Sequence, residues 1–374
     1  MKNILKIRFI ILLGLAACLF FSCSDMVFNL NDIGHYKVTF QTKGGIDVPS
    51  QTLDYGQKAK EPSFPAKVDT KEAFYFFRGW CSDAECTKAF DFNSEITSDT
   101  TVYAKYDVIR FDVTYKFHET PEFSGTSVVF GDFPQAYGAD LGAESISEYN
   151  PTKLYINKLN NMTIGANTYY AGSDGNWYFY EEYSEEYFLI EPIVWNVLTD
   201  NYNSTGKTLL LSEKILFADN YFDHADKARS GGIQASDYTN SRLRAYLLGL
   251  SYLTFERTTG AEIINNEFDN KGLLQSAFTE SALSKIFDTT IDGNTDKLFV
   301  LSNLEADNFF ADDDARVKFV TNYTYAGDEE EEQWWLRTPV SSGYVYSVDI
   351  YGAIADDASV RWSSVGIVPA LVLK

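Results

Sequence analysis

Gln333-Trp334-Trp335-Leu336-Arg337-Thr338-Pro339, followed after a polar interval by Val365-Gly366-Ile367-Val368-Pro369-Ala370-Leu371-Val372-Leu373-Lys374, is the stretch around which the chain is organised. In an extended segment successive side chains point to opposite faces, so Trp334 and Trp335 face opposite ways. One can anchor a core while the other meets a second layer or solvent. Between these anchors, Tyr344, Tyr346, Val348 and Ile350 share one face of a predicted strand, and Val345, Ser347, Asp349 and Tyr351 the other. Asp349-Ile350-Tyr351-Gly352 reads as a turn into a polar excursion over residues 356–364. Two readings stay open: a core hairpin with an ordinary wet loop, or a rigid base presenting an adaptable aromatic and polar surface suited to binding. On the second, the candidate ligand-binding residues are Tyr344, Tyr346, Asp349, Tyr351, Asp356, Asp357, Arg361 and Trp362.

The N-terminus reads as an address. Residues 1–8 are basic and Phe9–Phe21 almost continuously apolar, which is signal-peptide anatomy and too short for a comfortable membrane span. Leu15-Ala16-Ala17-Cys18 and Phe20-Phe21-Ser22-Cys23 both resemble a bacterial lipoprotein cleavage box. Cys18 is followed by Leu-Phe-Phe, still within the apolar run, whereas Ser24-Asp25 follow Cys23. Cys23 is therefore the expected lipidated residue, with Cys18 the alternative and a plain secretory signal a further one. The expected layout is a signal peptide at 1–22 and a tether at 23–35. A protein anchored in the cell envelope by its lipid, on the outer membrane or cell surface, follows from that reading.

The formal charge is −22, and three units more negative once a leader carrying Lys2, Lys6 and Arg8 is removed. Such a chain repels nucleic-acid phosphate and anionic lipid, so nucleic acid is not an expected partner, and the membrane is one only through the anchor. The aromatic content of 16%, mostly Phe and Tyr, favours β-rich packing. Length suits about two domains. The expected fold class is α+β and β-rich, a small domain at 36–106 followed, after a connector at 107–127, by a larger mixed domain at 128–374.

The small domain alternates as a strand through His35-Tyr36-Lys37-Val38-Thr39-Phe40, turns at Lys43-Gly44-Gly45 and closes on Thr100–Tyr106. Val38-Thr39-Phe40, Gly44-Gly45, Tyr55-Gly56, Phe77-Arg78-Gly79-Trp80, Asp83-Ala84, Phe90-Asp91-Phe92 and Val102-Tyr103-Ala104-Lys105-Tyr106 resemble the Listeria–Bacteroides repeat of bacterial surface proteins. That resemblance implies a β-grasp-like fold acting as spacer or interaction module, without catalysis. Cys81 and Cys86, close together in an exported chain, are expected to form a disulfide; a metal pair is the alternative, but no His or further Cys lies near in sequence.

In the larger domain Asp174-Gly175 marks a hairpin, and apolar strands are expected at Tyr187–Leu198, Thr208–Ser212 and Lys297–Leu301. Asn240 or Ser241 caps a helix whose stripe is Leu243, Tyr246, Leu247 and Leu250; Thr279 caps a shorter one, and Ser302-Asn303-Leu304-Glu305 is a capping box. Phe133-Pro134-Gln135, Glu191-Pro192-Ile193-Val194-Trp195, Trp334-Trp335-Leu336-Arg337-Thr338-Pro339 and Gly366-Ile367-Val368-Pro369-Ala370-Leu371 resemble, in order, a bacterial domain family of unknown function. Thr338 stands where serine is commoner. The layout is similar to the C-type-lectin-like fold of formylglycine-generating enzymes and diversified surface receptors.

The residues argue against catalysis. Formylglycine-type oxidation needs reactive cysteines, and nothing after Cys86 carries a thiol. No HExxH, Gly-x-Ser-x-Gly or P-loop occurs. His224, between Asp223 and Asp226, could join carboxylates on a metal, but a solvated loop is the plainer reading. Asp292-Gly293-Asn294 echoes a calcium loop, yet Phe299 stands where its closing glutamate belongs. Glu191-Pro192-Ile193 lacks the amide of a calcium-dependent sugar site. Neither cofactor nor metal is expected. The expected function is a surface lipoprotein that binds an extracellular protein or glycan; the alternative is an envelope-anchored, glycan-directed hydrolase working through acidic residues.

Overall fold

A computed structural model describes residues 34–138, 150, 152–164, 167–182, 184–218, 221–225, 228–324 and 332–374. The expected signal peptide, the tether through residue 33, and Cys18 and Cys23 lie outside the described residues. The chain forms two compact units: one runs up to Val68 and includes Tyr75–Asp107, the other joins Asp69–Phe74 to Val108–Lys374. Most of the segment read as a connector thus counts with the larger unit.

The small unit is a sheet of β1 (His35–Gln41), β2 (Gln51–Asp54), β3 (Ala73–Cys81) and β4 (Thr100–Arg110), in the order β2-β1-β4-β3. The central pair β1 and β4 is parallel, and β2 joins β1 antiparallel. Period-two alternation sends Val38 and Phe40 of β1 and Val102 and Ala104 of β4 into one core with Ala59, Trp80 and Ile96. Trp80 meets Phe40 edge-on at 5.0 Å.

The disulfide expected from the cysteine spacing is not formed in this structure: Cys81 and Cys86 stand as free thiols. Cys81 is buried at the end of β3, and burial, with Cys86 beside it, pushes its thiol up to about 11. Cys86 lies on left-handed backbone (φ 53°), its sulfur 3.7 Å from the Ala104 carbonyl and from Lys43 Nζ.

The larger unit opens with β5 (Glu122–Ser124), β6 (Ser127–Tyr137), β7 (Ile156–Ile164), β8 (Asn167–Gly172), β9 (Trp177–Glu181), β10 (Glu186–Thr199) and β11 (Thr208–Ser212). The long strand β10 organises them. It carries β6 along one edge from Phe188 to Asn196, while β9 and β11 share the other, at Glu186–Leu189 and Trp195–Thr199. The Asp174-Gly175 hairpin forms as expected between β8 and β9, with Gly175 at φ +89°.

Short helices and hairpins follow. Helix α1 (Arg242–Leu248) begins where Ser241 Oγ accepts from the Arg244 N–H and stops at Gly249, whose left-handed backbone (φ 66°) ends it. Leu250, placed on the helical stripe from spacing, therefore falls beyond the helix and is exposed. The β12 (Tyr252–Phe255) and β13 (Glu262–Asn265) hairpin comes next, then α2 (Leu273–Ala277), α3 (Glu280–Leu283) capped by Thr279, and the hairpin of β14 (Thr289–Ile291) and β15 (Asn294–Asp296). Residues 298–301 are fully buried but make one bridge, Phe299 to Ala370, rather than the expected strand. Helix α4 (Asn303–Asn308) has the expected capping box of Ser302 and Glu305.

The chain closes with β16 (Trp334–Ser341), β17 (Tyr344–Val348) and β18 (Ile354–Ser359), an antiparallel three-stranded sheet, and β19 (Ala370–Leu373), which pairs with β11. Part of the polar excursion read from the sequence is thus the strand β18. Both tryptophans of β16 are fully buried. Trp335 packs edge-on against Phe222 at 5.6 Å, and Trp334 donates its indole N–H to the Arg316 carbonyl at 3.1 Å. Residues 334–337 of the strand are covered on both faces, so neither tryptophan meets solvent. Trp335→Ala should lower unfolding free energy by about 3–5 kcal/mol in urea titration, the range for a buried aromatic truncated to a cavity. Tyr351→Ala, at an exposed position, should stay within about 0.5 kcal/mol of the unaltered protein; equal losses would contradict the assigned burial.

Candidate functional site

The predicted binding residues stand on or beside β17 and β18. The inner side of these strands is closed: Val345, Ser347, Ala358 and Val360 are buried to within 1%. The outer side offers Tyr344, Tyr351 and Trp362, which keep 47%, 75% and 42% of their surface, together with exposed Asp356, Asp357 and Arg361. Two predicted members serve the fold instead. Tyr346 packs against the core, and Asp349 Oδ1 accepts from the N–H groups of Tyr351 and Ala353, both at 2.9 Å, closing the turn. Gly352 ends that turn at φ +82°, where a Cβ would come within 1.8 Å of the Asp313 carbonyl oxygen. No other residue fits there without moving the turn.

The accessible residues do not form one patch. Tyr344 begins β17 and Tyr351 lies past its far end, so about 14 Å of strand separates Tyr344 from Val348 alone. Ser359 pairs with Tyr344 across the strands, and Val360 N–H donates to the Gly343 carbonyl at 3.1 Å. That pairing brings Tyr344 and Arg361 to one cleft of about 210 Å³, whose opposite wall is Ala225, Gln234 and Ala235. Trp362 adjoins it, its N–H donating to the Ser359 carbonyl at 2.9 Å. The wall of Ala225, Ala228, Gln234 and Ala235 is not legible in the sequence, being more than a hundred residues away. Beside it the His224 ring lies tilted against Tyr221, centroids 4.3 Å apart. Burial pulls the His224 imidazole below its ordinary range; Arg242, Arg361 and Arg257 push the same way, against Glu267.

The buried charged groups belong to the scaffold. Asp223, once a candidate partner of His224 on a metal, is fully buried and paired with equally buried Arg229. Arg244 grips Asp296 through two N–H bonds of 2.9 and 2.7 Å. Arg337 donates to the Val300 carbonyl at 2.8 Å and to Glu305, which also accepts from Tyr202. Burial alone would raise the Glu305 carboxyl, but the hydrogen bond and charge of Arg337, with Tyr202 and the Ser302 N–H, carry it below its ordinary value. Asp132 is held by Tyr115 and by the His118 ring, at 2.6 and 2.7 Å. Among the described residues no three His, Cys, Asp or Glu side chains gather to hold a metal.

Lys318 is buried with no carboxylate in hydrogen-bond contact among the described residues; its ammonium donates to the Ser212 carbonyl at 2.9 Å. Burial pushes it down to about 8, with Glu213 opposing. An unfolded lysine takes up its proton near 10.5. Between these values the unfolded chain binds more protons than the folded one, so stability rises with pH. Urea midpoints for unfolding of the larger unit, which does not contain Cys81, should therefore climb between about pH 8 and pH 9.5, before tyrosines ionise, and Lys318→Met should flatten the climb. An unchanged slope in the variant would show that Lys318 does not carry it.

With fold and site in view, comparison with known proteins finds two family matches. Residues 36–105 match the Listeria-Bacteroides repeat domain, and residues 205–374 match a domain of unknown function, DUF6273. Both family resemblances drawn from the sequence hold, although Phe133-Pro134-Gln135 and Glu191-Pro192-Ile193 precede the second matched span. Two proteins of Evansella cellulosilytica are similar over part of the chain. One, named "Putative Gly-rich membrane protein", is 29% identical over 100 residues, 26% of this chain and 11% of that protein. The other, named "Putative membrane protein", is 33% identical over 85 residues, 22% of this chain and 12% of that protein. The chain spans only about a tenth of the length of these relatives. No solved structure matches.

Proposed function

We propose that this protein is a surface lipoprotein whose large unit binds an extracellular protein or glycan through the outer side of β17 and β18. The single observation that carries the reading is the contrast across those strands: a fully buried inner side backing exposed Tyr344, Arg361 and Trp362. Rigid aromatic side chains beside short polar groups suit recognition, because they give contact area with little rotamer entropy to lose. The small unit serves as spacer or interaction module and is read as β-grasp-like, supported by its strand order and central parallel pair. The C-type-lectin-like reading of the large unit rests on its motif layout. The names of the Evansella proteins and the repeat itself support envelope association; anchoring through Cys23, with Cys18 as alternative, at the outer membrane or cell surface, is part of the proposal. The glycan-directed hydrolase has less support, since Asp223, Asp296 and Glu305 are each held by an arginine.

The test pairs folding with capture. Mature protein should bind members of an array of glycans and matrix proteins. Tyr344→Ala and Trp362→Ala should each weaken that capture about tenfold while stability stays within about 0.5 kcal/mol. Capture that survives both substitutions places the binding surface elsewhere; no capture at all removes the binding reading.

A further inference from the structure

Cys81 and Cys86 of the small unit are thiols that the binding face does not use, and the local chain brings them together. Cys81 is buried at the end of β3, and Cys86 is half-buried. The loop between and after them is tied down at several points. The Asp83 carboxylate accepts from the Thr87 and Lys88 N–H groups at 2.9 and 2.8 Å. The Cys86 N–H donates to the Asp83 carbonyl at 3.1 Å, and the Ser82 N–H to the Lys88 carbonyl at 3.0 Å. Cys86 itself sits at φ 53°, where a residue with a Cβ is uncommon and where functional sites often hold one. Its sulfur lies 3.7 Å from the Ala104 carbonyl and in hydrogen-bond contact with the Cys81 thiol.

The class of ligand follows from the donor set. Two thiolates complete the shell of cuprous copper, a soft monovalent ion that sulfur ligands select. Structural zinc asks for four ligands, and the described residues gather no third His, Cys, Asp or Glu here. Sulfurs of thiols in contact stand nearer to the span across one metal ion than to a disulfide bond. That span is roughly 4.6 Å for two metal–sulfur bonds of about 2.3 Å, against about 2 Å for the disulfide. Burial pushes the Cys81 thiol up to about 11, so an arriving ion must displace its proton, and capture strengthens as pH rises. Charge favours the loaded state. Two thiolates and one monovalent cation leave a single negative charge. Lys43 Nζ stands 3.7 Å from the Cys86 sulfur, and the Lys105 ammonium favours the Cys81 thiolate, with Asp83 opposing.

We propose that Cys81 and Cys86 form a two-sulfur site for cuprous copper, which joins the end of β3 to the loop that follows it. Each thiol releases its proton to solvent and its sulfur donates an electron pair to the ion, with no change of oxidation state. The site is independent of the binding face on β17 and β18.

Mature protein purified without reductant should show two alkylatable thiols, Cys81 and Cys86, when denatured; a Cys81–Cys86 disulfide in that material overturns the inference. Kept free of oxygen, the protein should take one equivalent of cuprous copper from the chromogenic chelator bicinchoninate. X-ray absorption of the loaded protein should show two sulfur neighbours around copper. Zinc should bind at least about a hundredfold more weakly. Cys86→Ser, at a half-buried position, should weaken copper capture at least about a hundredfold while the copper-free melting temperature stays unchanged. Lys43→Gln should weaken it about threefold, and less at high salt. Each unit by which the pH is lowered below 8 should weaken capture at least about tenfold, as the Cys81 proton competes. Copper left on the chelator, copper retained by Cys86→Ser, or zinc held as tightly as copper overturns the assignment.

Discussion

Burial of the first half of β16 on both faces is the constraint from which the rest of the larger unit follows. Consecutive positions of β16 commit distant segments. Trp334 requires an acceptor for its indole N–H and finds the Arg316 carbonyl; Arg316 in turn donates to the Gly352 carbonyl at 2.8 Å, fixing the turn after β17. Trp335 brings in Phe222, which precedes the Ala225–Ala235 wall of the cleft. Two positions on, Arg337 ties the strand to residue 300 and to the capping box of α4. Each large side chain buried contributes roughly 2–3 kcal/mol, against a total stability of only about 5–15 kcal/mol for a typical domain. A sheet held this way can present exposed aromatics without using them to stay folded.

The sequence made local structure legible where local chemistry determines it. Ser241, Thr279 and Ser302 cap helices because their oxygens can reach N–H groups three residues on, a property readable from spacing. Alternation in β17 told which side chains share a face. It does not tell what covers each face, so alternation alone leaves the second tryptophan between a second layer and solvent. Asp349 looked like a ligand group until the turn claimed its oxygen. The partners of Arg337 and Arg244 lie 32 and 52 residues away, beyond any spacing rule. Arg229 and Asp223 are near in sequence, yet nothing short of the fold shows that both are buried.

Net charge illustrates the same limit from the other side. Averaged over the chain, acidity argues against anionic partners. Averaging hides where single basic groups such as Arg361 stand, and that depends on which segments meet. Tyr344 and Arg361 meet through the pairing of β17 with β18; Ala225, Ala228, Gln234 and Ala235 complete the cleft from another part of the chain. The candidate side chains were legible singly, while their grouping, and the separation of Tyr351 from the others, were not.

Native-state hydrogen exchange tests the central claim most directly. The Trp335 N–H donates to the Gly366 carbonyl at 3.0 Å and the Arg337 N–H to the Leu301 carbonyl at 2.8 Å, both deep in the unit. The Tyr351 N–H is bound only within its own exposed turn. If β16 is the constraint on which the unit depends, the Trp335 and Arg337 amides exchange only through global unfolding, with the free energy and denaturant dependence of that transition, while the Tyr351 amide exchanges through local opening. Exchange of Trp335 and Arg337 by a low-energy local opening, with the rest of the core still protected, would contradict the account.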